Sequence, residues 1–239
     1  MNIGLILAGG SGTRMGADIP KQYLKVRGKP IIAYTLEVFE TSPDIDAIEV
    51  VCAPKWMDYV RSVGAEYHIS KLKWINESGP TCQDSIRNGI FALKDRLSAE
   101  DVILVHMSVS PLVTRENLAE GIRVCKEKGN AFALQPCLFC MCRKTTDEWS
   151  DENAYKEDYG QLNMPWIMKF GDVLDLYEDA LKTGRGATVK DYLPSLLFES
   201  GKRTWFYPDN EANRIKITTK GDLDLFEAYL TLMERRKGE

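Results

Sequence analysis

The chain has 239 residues, of which 44% are hydrophobic, and its formal net charge at pH 7 is −4. A chain of this length can bury the core of one large domain, and its negative charge argues against general nucleic-acid binding, although cations can still cluster locally. The sequence contains no apolar run long enough to cross a membrane and no charged segment typical of a signal peptide, so we expect a cytoplasmic protein.

Apolar and amphipathic segments alternate along the chain. Strands are predicted at residues 1–7, 49–53, 73–76 and 101–106, and helices at residues 31–40, 84–96 and 115–128. This alternation is typical of an α/β protein with a mostly parallel sheet and helices on both faces. Ligands of such sheets lie beyond the carboxyl ends of the strands. We therefore expect the loop after the first strand, the Ser78-Gly79 turn and the His106-Met107 segment to converge at one edge.

The loop after the first strand is dense in glycine. Residues 8–16 read AGGSGTRMG, and Pro20 and Lys21 follow shortly after. Backbone amides of such a loop form a nest for anions, and Arg14 and Lys21 would neutralise phosphate charge, which predicts a triphosphate cradle. The Walker pattern is missing, and Met15 stands where a dinucleotide fingerprint needs its third glycine. An ordinary turn between a strand and a helix stays open as an alternative.

Cysteine and histidine give weaker signals. Cys137, Cys140 and Cys142 include one half of a zinc pattern, but no second pair stands at zinc spacing. We expect the six cysteines to be reduced thiols that serve as small apolar residues. His106 ends an apolar strand, so we expect a hydrogen-bonded structural histidine.

Several motifs together resemble one family. The segment LAGGSGTRMG followed by PKQYL is similar to the cytidylyltransferases that make CDP-activated polyols, namely the methylerythritol-phosphate enzymes and their ribitol-5-phosphate relatives. The likeness returns at residues 83–85, at 105–106 with Pro111, and at 215–219 with Asp222. It implies a single-domain, Rossmann-like nucleotidyltransferase fold over residues 1–239, with a mostly parallel twisted sheet flanked by helices. It also implies a protruding β-arm at residues 137–162 that joins two copies into a homodimer, while a surface loop stays open as the alternative for this stretch.

The resemblance also implies a reaction and its residues. A phosphorylated acceptor would attack the α-phosphate of CTP, with Mg²⁺ as cofactor and pyrophosphate as the leaving group. Arg14 and Lys21 would hold the triphosphate, and Lys216 would stabilise the pentacoordinate transition state. The residues expected to bind the nucleotide are Ala8, Gly9, Gly10, Ser11, Gly12, Gly79, Ser85 and Ser108. The residues expected to bind the acceptor are Ser110, Arg143, Thr188 and Arg214, and no metal ligand is assigned.

The acceptor side departs from the family pattern. Met107 stands where the family has an acidic residue, and Ser110 and Cys82 stand where it has arginines. Trp166 falls in a changed segment and could close the acceptor pocket with an apolar wall. A working enzyme with an altered acceptor explains these changes, and so does a nucleotide-binding module without turnover. An NAD-dependent oxidoreductase is the third alternative.

Overall fold

A computed structural model of the chain describes residues 1–12, 15–185 and 192–238. The strands are β1 (Asn2–Ala8), β2 (Lys25–Val26), β3 (Lys29–Pro30), β4 (Ala47–Cys52), β5 (Leu72–Glu77), β6 (Val102–Met107), β7 (Asn130–Pro136), β8 (Met141–Arg143), β9 (Glu152–Ala154), β10 (Gly160–Lys169) and β11 (Phe206–Pro208). The helices are α1 (Ile31–Thr41), α2 (Met57–Glu66), α3 (Cys82–Ala92), α4 (Arg115–Lys128), α5 (Phe170–Thr183), α6 (Leu193–Glu199) and α7 (Lys220–Gly238).

The central sheet is mostly parallel, as the sequence predicts. Within the described ranges it has seven strands in the order β11-β7-β10-β6-β1-β4-β5. Strand β10 pairs antiparallel with β6 and with β7, whereas the other neighbouring strands of this sheet are parallel. All six residues of β4 are buried, and β1 is buried from Ile3 onward. Such continuous burial is expected for parallel strands that are covered on both faces.

Helices cover both faces of the sheet, which confirms the predicted α/β architecture. One core cluster joins the sheet to α1, α2 and α4 through residues such as Phe39, Val60 and Leu118. A second core cluster joins the opposite face to α3, α5 and α6 through residues such as Ile90 and Leu196. No helix in the described ranges is both long enough and apolar enough to cross a membrane.

The boundaries of α3 differ from the sequence prediction. The helix begins at Cys82 rather than at residue 84 and ends at Ala92 rather than at residue 96. Its start is fixed by a capping box, in which the Thr81 hydroxyl accepts from the Asp84 amide and the Asp84 carboxylate accepts from the Thr81 amide. This early start positions the loop before α3 next to the cavity described below.

The segment at residues 137–162, here called the arm, contains an antiparallel hairpin formed by β8 and β9. Every residue from 138 to 163 is exposed or half-buried. The large apolar side chains exposed on the arm are Leu138, Phe139, Trp149, Tyr155 and Tyr159. The hairpin agrees with the expected β-arm, whereas its role in dimerisation stays a prediction.

Candidate active site

The loops after β1, β5 and β6 converge on one cavity, as the sequence predicts. Its volume is about 410 Å³. Its wall consists of residues 7–12, Lys21, Gln22, residues 79–82, Ser85, residues 107–109, Tyr192, Lys216 and Thr218. The cavity therefore lies at the carboxyl edge of the parallel strands, where α/β proteins bind ligands.

The glycine loop needs glycine for two physical reasons. Gly12 has a φ of +72°, and a Cβ there would lie 2.8 Å from the Lys21 backbone nitrogen. A Cβ on Gly9 would lie 2.5 Å from the Cβ of Ser78. The first position requires a left-handed backbone, and both require close approach of a neighbouring segment. The loop is thus held against two other segments, at Ser78 and at Lys21.

The side chain of Gln22 holds this loop in place through hydrogen bonds to its carbonyl groups. Its side chain is only 2% exposed, and its amide nitrogen donates to the carbonyl oxygens of Ala8, at 2.6 Å, and Gly10, at 2.9 Å. Among the described residues, no acceptor contacts the backbone amides of Gly10, Ser11 or Gly12. A loop whose carbonyls are engaged and whose amides remain available is suited to bind an anion.

Lys21 connects the loop to the C-terminal part of the chain. Its ammonium donates to the carbonyl oxygen of Ile217 at 2.8 Å, across 196 positions of sequence. Lys216, the neighbour of Ile217, lines the same cavity. The structure thus brings together the two lysines that the resemblance implicated, whereas Arg14 lies outside the described residues.

The segment that carries Lys216 is held firmly. Ile217 is fully buried, and its amide donates to Val109 at 2.9 Å. The Asp222 carboxylate accepts from the amides of Thr218, at 2.8 Å, and Thr219, at 2.7 Å. Burial alone would raise the pKa of Asp222, but these hydrogen bonds and the charge of Lys21 lower it below its ordinary value. Asp222 therefore remains ionised and holds this segment beside Lys21.

The opposite wall is formed by the turn before α3. The Ser85 hydroxyl donates to Thr81 O at 2.9 Å and accepts from the Gly79 amide at 3.1 Å. A Cβ on Gly79 would lie 2.2 Å from the Cβ of Asp84, so the turn requires glycine there. Ser108 also lines the cavity, and its hydroxyl donates to Leu7 O at 2.8 Å. These contacts give the wall a fixed shape.

The eight residues expected to bind the nucleotide all line this one cavity. They are Ala8, Gly9, Gly10, Ser11, Gly12, Gly79, Ser85 and Ser108. Their contact with a nucleotide stays a prediction.

Of the residues expected to bind the acceptor, the three that the structure describes, Ser110, Arg143 and Arg214, do not line the cavity. Ser110 is 1% exposed, because the turn after β6 folds back and the Ser110 backbone amide donates a hydrogen bond to Met107 O. Arg143 lies on the exposed arm and pairs with Glu152 at 3.1 Å. Arg214 donates to the side chain of Gln135. Thr188 lies outside the described residues. The contact of these residues with an acceptor stays a prediction.

His106 has the structural role that was expected. It is fully buried, and its Nε2 atom lies 2.9 Å from Ser110 O. Burial lowers the pKa of His106 to about 4, although the Ser110 carbonyl partly opposes this effect. The imidazole is therefore neutral near pH 7.

The cysteines follow the expectation only in part. Cys52, Cys125 and Cys137 are buried, whereas Cys140 and Cys142 on the arm are exposed. The expectation that all six thiols fill apolar space is therefore wrong for Cys140 and Cys142, because no other part of the described chain packs over the arm there.

The described part of the cavity wall does not offer a metal site made of protein side chains. Its described wall has hydroxyl, thiol, amide and ammonium groups but no carboxylate. In the described ranges, no group of three or more His, Cys, Asp or Glu could hold a metal ion. Protein-bound Mg²⁺ usually has one or two carboxylate ligands in addition to phosphate oxygens. These residues alone therefore do not fit a bound Mg²⁺ ion.

Gln22 and Tyr192 are wall residues that sequence reasoning did not assign to the site. Gln22 follows Lys21 directly, and its place in the PKQYL segment was an available signal. Tyr192 belongs to no motif, so its position at the cavity depends on the tertiary fold. Trp166 does not line the cavity, because it is 3% exposed in β10, with its ring centroid 5.4 Å from that of Tyr192.

The fold and this cavity define a nucleotidyltransferase. A family model described as 2-C-methyl-D-erythritol 4-phosphate cytidylyltransferase (IspD) matches residues 3–232. The ribitol-5-phosphate cytidylyltransferase of Vibrio parahaemolyticus is 42% identical over 239 residues, which cover 98% of each chain. The enzyme of the same name from Lacticaseibacillus paracasei is 35% identical over 230 residues, covering 95% of this chain and 96% of that one.

Solved structures show the same fold. The 4-diphosphocytidyl-2C-methyl-D-erythritol synthase of Anaerococcus prevotii superposes with a TM-score of 0.79 at 19% identity, covering 97% of this chain and 96% of that one. The chain belongs to the IspD family, and it is a CTP-dependent cytidylyltransferase. The comparisons do not support a binding module without turnover, and the family match argues against an oxidoreductase.

Proposed function

We propose that this enzyme transfers CMP from CTP to ribitol 5-phosphate and releases pyrophosphate. The observation that carries the proposal is the hydrogen bond from Lys21 to Ile217 O, which closes the glycine loop and the Lys216 segment around one cavity. This arrangement gives a single chain an anion-binding loop with two lysines beside it, which is what a triphosphate requires.

The reaction needs positioning and charge more than it needs a base. A phosphate oxygen of the acceptor forms a bond to the α-phosphorus of CTP, and the bond from that phosphorus to the bridging oxygen of pyrophosphate breaks. The acceptor phosphate is already ionised near neutral pH, so no side chain has to remove a proton. Fixed positive charge lowers the barrier because negative charge grows on the α-phosphate and on the leaving group.

Each lysine has a distinct task in the proposed reaction. Lys21 starts a short 3-10 helix directly beside Gly12, so we assign it to the β- and γ-phosphates above the loop. Lys216 lies on the other wall, beside Tyr192, and we assign it to the α-phosphate. Arg14 completes the proposal as a third cation from the same loop as Gly12.

The choice of acceptor follows the relatives. The two ribitol-5-phosphate enzymes reported above are 42% and 35% identical to this chain. The 2-C-methyl-D-erythritol 4-phosphate cytidylyltransferase of Clostridium novyi is 30% identical over 230 residues. The higher identities favour the ribitol phosphate, and methylerythritol 4-phosphate is the competing acceptor that the experiment must include.

We expect Mg²⁺ to bind together with CTP as the cofactor of the reaction. Since the described wall has no carboxylate, we expect Mg²⁺ to be held by triphosphate oxygens and water. We also place the reaction in the cytoplasm, where nucleoside triphosphates are available.

The proposed active form is a homodimer joined by the arm. Five large apolar or aromatic side chains on the arm are exposed, and Phe139 is 78% exposed. Such a concentration is typical of an interaction surface. A second copy would cover these side chains and could bring Arg143 of one chain to the acceptor bound by the other.

Pyrophosphate release tests the function. Purified protein is incubated with Mg²⁺ and CTP, UTP or ATP, together with ribitol 5-phosphate, methylerythritol 4-phosphate or ribose 5-phosphate, and ³¹P NMR identifies the product. We expect pyrophosphate and a CDP-polyol with CTP and ribitol 5-phosphate, at a kcat/KM at least about tenfold above the other combinations. Preference for methylerythritol 4-phosphate would overturn the acceptor, and no release with any pair would overturn the function.

A further inference from the structure

Two aromatic side chains, Tyr192 and Trp166, connect Lys216 at the cavity wall to the central sheet. The ammonium nitrogen of Lys216 lies 5.4 Å from the centroid of the Tyr192 ring, within the range of a cation–π contact. The Tyr192 ring in turn lies 5.4 Å from the Trp166 ring, with an angle of 44° between the planes. The three side chains thus form a row from the cavity wall into the core.

The inner end of this row is fixed by the sheet. Trp166 belongs to β10, where it pairs with Val105 of β6 and Phe132 of β7, and only 3% of it is exposed. Three neighbouring strands therefore hold the indole in place, since buried side chains in packed cores keep defined rotamers.

The backbone of Tyr192 is fixed as well. Tyr192 precedes the first turn of α6, and its carbonyl oxygen accepts from the Ser195 amide at 2.9 Å. Leu193, the next residue, is fully buried in the core. Tyr192 is 39% exposed, and its ring lies between Trp166 on one side and the Lys216 ammonium on the other.

We propose that Tyr192 is a positioning residue, whose ring holds the Lys216 ammonium at the cavity wall while Trp166 supports that ring. The inference rests on the proposed role of Lys216 at the α-phosphate. A lysine has a flexible four-carbon stem, so it must be ordered before it can act on a transition state. An aromatic face can order an ammonium group without cancelling the positive charge that acts on the α-phosphate.

Two substitutions at Tyr192 separate this role from a packing role. Tyr192→Phe keeps the aromatic face, and we expect its kcat to stay within about twofold of the unchanged enzyme. Tyr192→Leu removes the face, and we expect its kcat to fall about tenfold while the KM for CTP is maintained. Phe198→Leu, at an exposed aromatic residue on the same helix and away from the cavity, is the matched control and should leave kcat unchanged. Equal losses in the Phe and Leu variants would overturn the inference.

A double substitution tests whether Tyr192 acts through Lys216. In the Lys216→Ala background, Tyr192→Leu should cause no further loss of kcat, because the group that it positions is gone. A further tenfold loss in that background would show that Tyr192 acts independently of Lys216. Melting temperatures of all variants are measured in parallel, so that a loss of folding is recognised.

Proton NMR provides a readout that does not depend on turnover. The ε-methylene protons of Lys216, assigned by comparison with Lys216→Arg, should be shifted upfield by the ring. This shift should persist in Tyr192→Phe and disappear in Tyr192→Leu. If the enzyme released no pyrophosphate, the proposed function would fail while the spectrum still decided whether the contact exists. Unshifted protons in the unchanged protein would overturn the inference.

Discussion

The cavity and the arm differ in how much of each is completed by one chain. The cavity wall rests on buried residues: the Gln22 side chain holds the glycine loop, and the backbone of Ile217 bonds Lys21 and Val109. The arm, in contrast, exposes large side chains: Phe139 and Tyr155 are 78% and 66% exposed. One chain therefore assembles the proposed nucleotide site by itself, whereas the arm is suited to a second copy.

The largest effect is expected at Lys216. Replacing it by alanine removes positive charge from the α-phosphate, and kcat should fall about a hundredfold, equivalent to roughly 3 kcal/mol. The affinity for CTP should change much less, because the loop and Lys21 remain. Steady-state pyrophosphate release measures kcat, and isothermal titration calorimetry measures the affinity for CTP. Lys55→Ala, at an exposed lysine away from the cavity, is the control, and an equal loss in both variants would remove Lys216 from the mechanism.

The sheet beneath the cavity contains a buried carboxyl group with a testable pH effect. Burial raises the pKa of Glu49 to about 8, although the Asn76 amide and Arg96 oppose the shift. Between the ordinary carboxyl pKa and this value, the folded protein keeps a proton that the unfolded chain releases. Stability is therefore greatest at low pH within this window and is lost as the pH rises through 8.

Glu49→Gln mimics the protonated carboxyl and should remove this pH dependence. Between about pH 5.5 and 8.5, the unchanged protein should lose on the order of 2 kcal/mol of unfolding free energy that the variant retains. Urea unfolding at both pH values measures the difference, with Glu199→Gln, at an exposed carboxylate, as the control. Identical pH profiles for the unchanged protein and Glu49→Gln would mean that the buried carboxyl does not titrate in this range.

Lys21→Ala should affect binding more than chemistry. The substitution removes one triphosphate cation and the bond to Ile217 O, so the dissociation constant for CTP should rise about tenfold. Isothermal titration calorimetry with CTP and Mg²⁺ measures this change. An unchanged affinity would mean that Lys21 does not contact the triphosphate, and the cavity would then no longer be supported as the nucleotide site.

Gly12 and Gly28 have similar backbone angles but different surroundings, so alanine variants separate the effect of backbone strain from the effect of a steric clash. Gly12 and Gly28 have φ values of +72° and +80°, but only at Gly12 would a Cβ meet a neighbour within 4 Å. Gly28→Ala should lose about 1 kcal/mol of stability through its left-handed backbone. Gly12→Ala should lose more, because its Cβ also meets the Lys21 backbone, and only this variant should weaken CTP binding several-fold. Thermal melting with and without CTP compares them. Equal CTP responses would show that the loop tolerates a Cβ beside Lys21.

The smallest effect on the cavity is expected from the arm. Phe139→Glu places a charge on the proposed interface and should shift the protein from dimer to monomer, while the affinity for CTP stays within about twofold. Sedimentation velocity and calorimetry measure the two properties. A monomeric unchanged protein would refute the dimer, and a large loss of CTP affinity would show that the cavity depends on the arm.

The sequence was sufficient where local chemistry decides the structure. The glycine loop was predictable because Gly12 needs a left-handed backbone that other residues rarely adopt. The convergence of three loops followed from the parallel direction of their strands. The partnership of Lys216 with Tyr192 was not predictable, because it depends on how α6 packs against β10. Glu49 was equally hidden, because a glutamate is seldom fully buried and only the tertiary fold encloses this one.

The central claim is that a triphosphate lies between the glycine loop and the two lysines. A crystal structure of the protein with Mg²⁺ and a non-hydrolysable CTP analogue tests it most directly. We predict phosphate oxygens within hydrogen-bond distance of the amides of residues 10–12 and of the ammonium of Lys21, with Lys216 beside the α-phosphate. A triphosphate bound outside this cavity, or with Lys216 turned away from it, would contradict the account.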